Sequence, residues 1–334
     1  MKRNRYSSKK SNAKKFYTKE NIFISRLASI LNVSKKDVNR MFNERVVSAI
    51  RLNPLAGPVE NIKSRVESKG FTLEPVSWSK DTYIIRDNDK SELSKITEYK
   101  SGLFYIQSLS SMLPVIALDP KPGERILDMC AAPGSKTSMI AALTGDKADL
   151  VANDQDFRRI GKLRNIIYQF HIKNIKVTQT PGESIGSRFS SHFDKVLLDA
   201  PCSGEGLIYL RSPRPLRFWS IKKVKAMSKL QKKLIESAYL CLKPGGTLVY
   251  STCTLEPDEN EAVLTHLIER HTEAKIEEIS VVKGDSFEEY KQLVTPGIKH
   301  WSGNDYSEQV TKAVRVIPSS LMPAFFIAKI RKPE

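Results

Sequence analysis

A chain of 334 residues, 40% of them apolar, is long enough for one large domain and a smaller one, which excludes a disordered or fibrous protein. Fifty-four Lys and Arg against 37 Asp and Glu leave a formal net charge of +17, so a polyanionic partner is expected, nucleic acid before an acidic membrane surface. No apolar run reaches the length of a membrane span and no cleavable leader follows the basic start, so the sequence reads as a soluble cytoplasmic protein.

Residues 1–19 are mainly Lys, Ser, Asn and Arg and cannot form a core; they read as a basic tail, either solvated or lying along RNA. Helical periodicity follows, with Ile22, Leu27, Ile30 and Leu31, then Val38, Met41, Phe42 and Val46, and Ser34 with Asp37 in an N-capping pattern. The short apolar runs LEPV and TYIIR and a helix over Val59–Lys69 then predict a small α+β unit, so residues 20–101 are expected to form an N-terminal, RNA-engaging domain.

After the Pro122-Gly123 turn, strands and helices alternate. The predicted order is GERILDM, a helix from Lys136, DLVAND, a helix over Phe157–Phe170, IKVTQ, FDKVLLD, a helix over Lys222–Leu242, GTLVYS and a helix over Asp258–Arg270. That alternation predicts an α/β domain, from residue 102 to the C-terminus, with a mostly parallel sheet covered by helices on both faces. Ligands of such sheets sit at the carboxyl ends of the strands, where the richest motifs of this chain fall.

The first of these, DMCAAPGSKT, is a tight loop opening a helix. Its spacing fits neither G-x-G-x-x-G nor a phosphate-binding P-loop, because Gly134 stands alone and Ser135 separates it from Lys136. A cofactor with a carboxylate in place of phosphates, such as S-adenosylmethionine, suits the amides of this loop and Lys136. Asp154, at the end of the second strand, is placed to accept from ribose hydroxyls; the alternative is that it caps the next helix.

Two cysteines follow strand ends: Cys202 in DAPCSGEG and Cys253 in STCTLEPDENEA. A thiolate that adds to carbon 6 of cytosine activates carbon 5 for methylation, and Lys136 is the candidate cation to favour that thiolate. Asp199 is the candidate for proton handling at ring nitrogen 3, beside Pro201, which stiffens the loop. Cys241 reads as core, Cys130 as packing within the cofactor loop, and no cysteine spacing suggests a metal site.

Downstream, RSPRPLRFW brings Arg211, Arg214, Arg217 and Trp219 together as candidates to grip phosphates and stack on an unstacked base. The alternative is a solvated basic loop with its aromatics in the core. The lysines of the 222–242 helix read as a solubilising face.

DMCAAPGSKT, DAPCSGEG, LKPGGTLVYSTCT and EPDENEAV, with RLNPLAG, SGLFYIQSLSSMLP and AFFIAKIRK, resemble the motifs of the Fmu/Sun RNA cytosine-5 methyltransferases, and most of all the bacterial 16S ribosomal RNA type. The resemblance implies a Rossmann-like class I fold with a seven-stranded, mostly parallel sheet and S-adenosylmethionine as cofactor. It implies Cys253 as nucleophile and Cys202 as the residue that assists release, whereas DNA cytosine-5 methyltransferases attack from the Pro-Cys position. It further implies cofactor contacts from Cys130, Ala131, Ala132, Pro133, Gly134, Ser135, Lys136, Asp154 and Asp199. Pro181 stands where the family usually has an adenine-contacting Asp, with Glu183 or a backbone group as substitute. The chain stops where the larger ribosomal enzymes carry an extra RNA-binding domain, which leaves transfer RNA as an alternative substrate to ribosomal RNA. No obligatory protein partner is expected, and a non-catalytic RNA-binding assembly factor is the rival reading.

Overall fold

The computed structural model describes residues 19–86 and 90–334, so the expected basic tail, apart from Lys19, lies outside the described residues. N-terminal helical periodicity becomes two helices, α1 (residues 19–31) and α2 (Lys35–Met41). Ser34 caps α2, its hydroxyl oxygen accepting from the Asp37 amide at 3.1 Å.

The α+β unit comprises β1 (Ser48–Leu52), α3 (Val59–Glu67), β2 (Glu74–Pro75), β3 (Thr82–Ile85), the helical turns α4 (Lys90–Leu93) and α5 (Thr97–Lys100), and β4 (Phe104–Ile106). Its antiparallel sheet has the order β2-β3-β1-β4 and encloses its own core of Ile50, Leu52, Ile62, Val66, Ile85 and Phe104. Because β4 pairs with β1, this unit runs past the boundary expected at residue 102.

The larger unit contains α6 (Leu109–Leu118), β5 (Arg125–Asp128), α7 (Ser135–Leu143), β6 (Asp149–Asn153), α8 (Phe157–Gln169), β7 (Ile175–Thr178), α9 (Ile185–Arg188), β8 (Phe193–Asp199), α10 (Ile221–Cys241) and β9 (Leu242–Thr252). It continues through α11 (Glu261–Arg270), β10 (Lys275–Glu277), β11 (Val294–Pro296), the hairpin β12 (His300–Trp301) and β13 (Asn304–Asp305), β14 (Val314–Val316) and β15 (Phe325–Arg331). The sheet order is β11-β14-β15-β9-β8-β5-β6-β7, with β10 also on β15. Strands β5 to β9 are mutually parallel and β15 runs against β9. The expected seven strands are the run from β7 to β14, and the short strands β10 and β11 bring the sheet to nine.

Alternate residues of each strand point to opposite faces, and both faces are buried. Ile126, Leu197, Val249 and Ile327 pack with Met112, Leu113 and Ile140 of α6 and α7. Their neighbours Leu127, Val196, Leu198, Leu248 and Phe326 pack with Leu234, Ile235 and Ala238 of α10 and Val263 and Leu267 of α11. The loops after β5, β6, β8 and β9 therefore open on one edge of the sheet.

Helices α1 and α2 do not share the core of the α+β unit with which the sequence groups them. Their apolar stripe of Phe23, Leu27, Val38 and Phe42 packs instead on Leu216, Trp219, Val224 and Leu255, in the segments that follow β8 and β9. Among the described residues no helix is long and apolar enough to cross a membrane.

Candidate active site

Adjacent parallel strands β8 and β9 place Asp199 opposite Ser251. Cys202 and Cys253 leave the sheet side by side as a result, with their sulfurs 3.0 Å apart. The Cys253 sulfur and then burial push the Cys202 thiol well up, so Cys202 keeps its proton and can donate it in a hydrogen bond to Cys253.

Asp199 is held from two sides. Ser251 Oγ donates to its Oδ1 at 2.8 Å, and Lys136 Nζ lies 2.6 Å from its Oδ2 while also donating to Ser111 Oγ at 2.9 Å. Among the described residues no hydrogen bond joins Lys136 to either cysteine. The role expected of Lys136, a cation beside the thiolate, is corrected to that of counter-ion to Asp199, whose carboxylate meets the amine first.

The loop after β5 turns tightly into α7. Gly134 adopts φ 112°, which L side chains rarely adopt, and a Cβ there would lie 3.1 Å from Leu163 and Ile166. The first amides of α7 have no carbonyl partner within the helix, which leaves donors for an anionic ligand group. Asn153 ties three loops together: its amide nitrogen donates to Met129 O and Thr180 O, while its oxygen accepts from the Thr178 hydroxyl and the Thr180 amide.

Asp154 is only 2% exposed. Its oxygens accept from the Ala132 and Asp156 amides, and Arg159 forms an ion pair with it at 3.1 Å. It does not cap α8; Asp156 does, accepting from the Arg158 and Arg159 amides. A ligand ribose reaches Asp154 only if Arg159, half exposed, gives way.

One cavity of about 420 Å³ is lined by Cys130, Arg159, Asp199, Cys202, Phe218 and Cys253, so Cys130 of the loop after β5 and both sulfurs face the same space. Burial pushes the Cys130 thiol up, consistent with packing in place of reaction. A ligand carboxylate fits the donors at the start of α7, and a ligand ribose fits Asp154 once Arg159 moves aside. Among the described residues no group of three or more His, Cys, Asp or Glu is arranged to hold a metal. Glu183, the expected substitute for the Asp missing at Pro181, lines a different groove beside α10.

The two cysteine loops are fastened to each other by carboxylates the sequence reading left without a role. Glu205, fully buried after Cys202, accepts from Leu255 N and Thr254 Oγ1 beyond Cys253, both at 2.9 Å, and from Trp219 Nε1 at 3.0 Å. Glu259, beyond Cys253, accepts from Ser203 N beside Cys202 and from Gln231 Nε2, each at 2.9 Å. Gly206 N donates to Cys253 O at 2.9 Å, and a Cβ on Gly206 would lie 2.2 Å from Ala324 O. Arg26 of α1 reaches the same loop, with Nε 2.6 Å from Glu256 Oε1 and Nη2 2.7 Å from Asp258 Oδ2. Both glutamates lie in the flagged motifs GEG and ENE, but a sequence does not reveal that such carboxylates turn inward.

Burial pushes the Glu259 and Asp128 carboxyls up, each to about 7. A carboxyl raised by folding contributes stability that is complete below the ordinary carboxylate range and is lost as pH rises through its folded value. Replacing Glu259 with Gln should therefore flatten the fall in thermal midpoint between about pH 5 and about pH 8. Scanning calorimetry of both proteins checks this, and parallel profiles would contradict it.

The RSPRPLRFW segment is divided. Arg211, Arg214 and Arg217 are exposed and Phe218 is 72% exposed, with the Arg217 guanidinium 4.8 Å from its ring centre. Trp219 is 2% exposed, edge-on to Phe23, so its expected stacking on RNA is corrected to a core role and Phe218 is the available ring. Composition alone cannot tell which of two adjacent aromatics turns inward.

The strand order, with a cleft at the carboxyl ends of β5, β6, β8 and β9, defines a class I, Rossmann-like methyltransferase. Residues 115–331 match the family described as 16S rRNA methyltransferase RsmB/F, and residues 20–109 match the N-terminal domain of 16S rRNA methyltransferase RsmF. The chain belongs to this RsmB/F family and is an RNA methyltransferase. It is 42% identical over 288 residues to a tRNA (cytosine(49)-C(5))-methyltransferase of Pyrococcus abyssi, covering 86% of this chain and 88% of that relative. It is 36% identical over 288 residues to ribosomal RNA small subunit methyltransferase F of Shewanella amazonensis, covering 85% of this chain but 58% of that relative. A crystal structure of a methyltransferase homolog protein from Pyrococcus horikoshii superposes with a TM-score of 0.72 at 32% identity, covering 92% of this chain and 98% of that one.

Proposed function

We propose that the chain methylates carbon 5 of a cytosine in RNA with S-adenosylmethionine, through a temporary bond between Cys253 and carbon 6 of the ring. The observation that carries this reading is the pair of sulfurs 3.0 Å apart, sharing one cavity with Asp199 and the loop after β5. When bound, the cofactor supplies an electrophilic methyl group on a sulfonium centre. Residues Cys130 to Lys136, with Asp154 and Asp199, would hold it.

Addition of the Cys253 thiolate to carbon 6 makes carbon 5 enamine-like and able to take the methyl group. The Cys202 thiol steadies the thiolate by a hydrogen bond before attack. Asp199, held by Lys136 and Ser251, handles the proton at ring nitrogen 3 as charge builds there. A base then takes the carbon 5 proton, the C–H electron pair re-forms the 5,6 double bond and Cys253 leaves as its thiolate, a release that Cys202 assists. Arg211, Arg214, Arg217 and Phe218 hold the strand that presents the base.

Small-subunit ribosomal RNA is the first substrate of this reading, supported by the family. Transfer RNA is the second, favoured by the Pyrococcus abyssi relative, which this chain matches over 88% of its length. A cytoplasmic location goes with either RNA. A purely RNA-binding assembly role would leave the paired thiols without use.

The test is transfer of tritiated methyl groups to small-subunit ribosomal RNA, to transfer RNA and to DNA of matching sequence, followed by bisulfite sequencing. A bisulfite-resistant cytosine in RNA is expected. Label on DNA alone, or none on any RNA by a protein that binds the cofactor, would overturn the proposal.

A further inference from the structure

Helix α10 carries Lys222, Lys223, Lys225, Lys229, Lys232 and Lys233 and no acidic residue before Glu236. Opposite them, Val224, Gln231, Leu234, Ile235 and Ala238 are buried, so Lys225, Lys229 and Lys232 or Lys233 stand one turn apart along one outward stripe. Like charges at that spacing destabilise a helix. Several surface lysines elsewhere meet carboxylates, as Lys243 meets Asp194 and Lys299 meets Glu308, and the unpaired ones are not gathered on one helix face as these are. Among the described residues, Lys225, Lys229, Lys232 and Lys233 have no ion pair.

These four lysines, with His266 and Arg270 of α11, line a groove of about 870 Å³. Of the two carboxylates in the groove, Glu236 is taken up by His266, Arg270 and His271, and Glu183 forms no ion pair with these lysines, so among the described residues four lysines face one free carboxylate. The first turn of α10 sits beside the reaction cavity. Lys223 lines that cavity, and its Nζ donates to the carbonyl of Ser203, the residue after Cys202. From Lys225 to Lys233 the helix rises about 12 Å, a length that carries roughly three to four phosphates of a helical strand.

We infer that the lysine stripe of α10 is a track for the ribose-phosphate backbone of the RNA whose cytosine enters the cysteine cavity. This rests on the function proposed above. The track reads no sequence; it fixes direction and register, so that a strand gripped along α10 delivers one nucleotide to Cys253.

The test compares the full chain with a variant carrying Lys225→Gln, Lys229→Gln, Lys232→Gln and Lys233→Gln, and with a control carrying the same change at Lys283, Lys291, Lys299 and Lys312. A transfer RNA transcript and a small-subunit ribosomal RNA fragment serve as probes, with affinity followed across a potassium chloride series. For the α10 variant, the slope of log affinity against log salt should shrink by about 3 and affinity at low salt should fall by about tenfold or more. Its KM for RNA should rise while kcat and cofactor affinity hold, and the control should stay near wild type. An α10 variant with the wild-type slope, or a control that loses as much, would overturn the track. Failure of the unmodified protein to methylate either RNA would instead reject the reading on which the track rests.

Discussion

Replacing Cys253 with Ala should reduce methyl transfer by on the order of 10⁴-fold or more, because in the proposed reaction its thiolate is the group that adds to carbon 6 of the pyrimidine. Cys202→Ala has a different outcome: the protein stays attached to its RNA. The two sulfurs are 3.0 Å apart in one cavity, so the contrast comes from their roles and not from access. With Cys253 absent, carbon 5 never gains nucleophilic character and nothing covalent forms. With Cys202 absent, addition and methylation proceed, but the step that frees the ring stalls. Denaturing gels of labelled RNA with each variant separate the cases: a slow-migrating adduct for Cys202→Ala, none for Cys253→Ala. A Cys253→Ala protein that still turns over, or an adduct formed by Cys253→Ala and not by Cys202→Ala, would reverse the assignment. Cofactor binding by calorimetry should be little changed in both, since the donors of α7 and Asp154 are untouched.

Much of this site is legible in the sequence because its parts sit at strand ends. The alternation of strands and helices locates β5, β6, β8 and β9, and with them Gly134, Asp154, Asp199, Cys202 and Cys253. Register then does what sequence cannot: pairing of Asp199 with Ser251 converts a separation of some fifty residues into a sulfur contact. What stays hidden depends on which way a polar or amphipathic side chain turns. Trp219 and Phe218 are alike in the sequence, yet Glu205 accepts from the indole and draws Trp219 inward, while Phe218 has no such partner. Helices α1 and α2 show an apolar stripe, but nothing in their spacing says that it covers Leu216 and Leu255 in place of the α+β unit beside them in sequence. The ion pair of Lys136 with Asp199 is not legible in the sequence, because a carboxylate and two thiols all lie at the strand ends it faces.

Glu205→Ala should cost on the order of 3–5 kcal/mol of stability, the sum of several buried donors left without their acceptor and partly rehydrated. Three buried donors lose their acceptor at once: Leu255 N, Thr254 Oγ1 and Trp219 Nε1. Each stranded donor is worth about 1–3 kcal/mol, and part is recovered if water enters the gap. The thermal midpoint should fall by roughly 4–7 °C for a chain of this size. Loss of activity should exceed that implied by the folded fraction, because the donors lie on both sides of the reaction centre. Thr254 and Leu255 follow Cys253 directly, and Trp219 closes the core beneath α1. Without Glu205, the Ser203–Glu259, Ser203–Thr254 and Gly206–Cys253 bonds are left to join the two loops, and the 3.0 Å sulfur pair loosens. Glu205→Gln keeps one acceptor oxygen but turns an NH₂ group toward at least one N–H donor, so it should recover part of the stability and part of the rate. Differential scanning calorimetry gives the first quantity and single-turnover methyl transfer at a temperature where both variants are folded gives the second. If Glu205→Ala melts with the wild type, or is slowed no more than a neutral surface substitution, the carboxylate does not hold the cysteines together, and their spacing must come from the register of β8 and β9 alone.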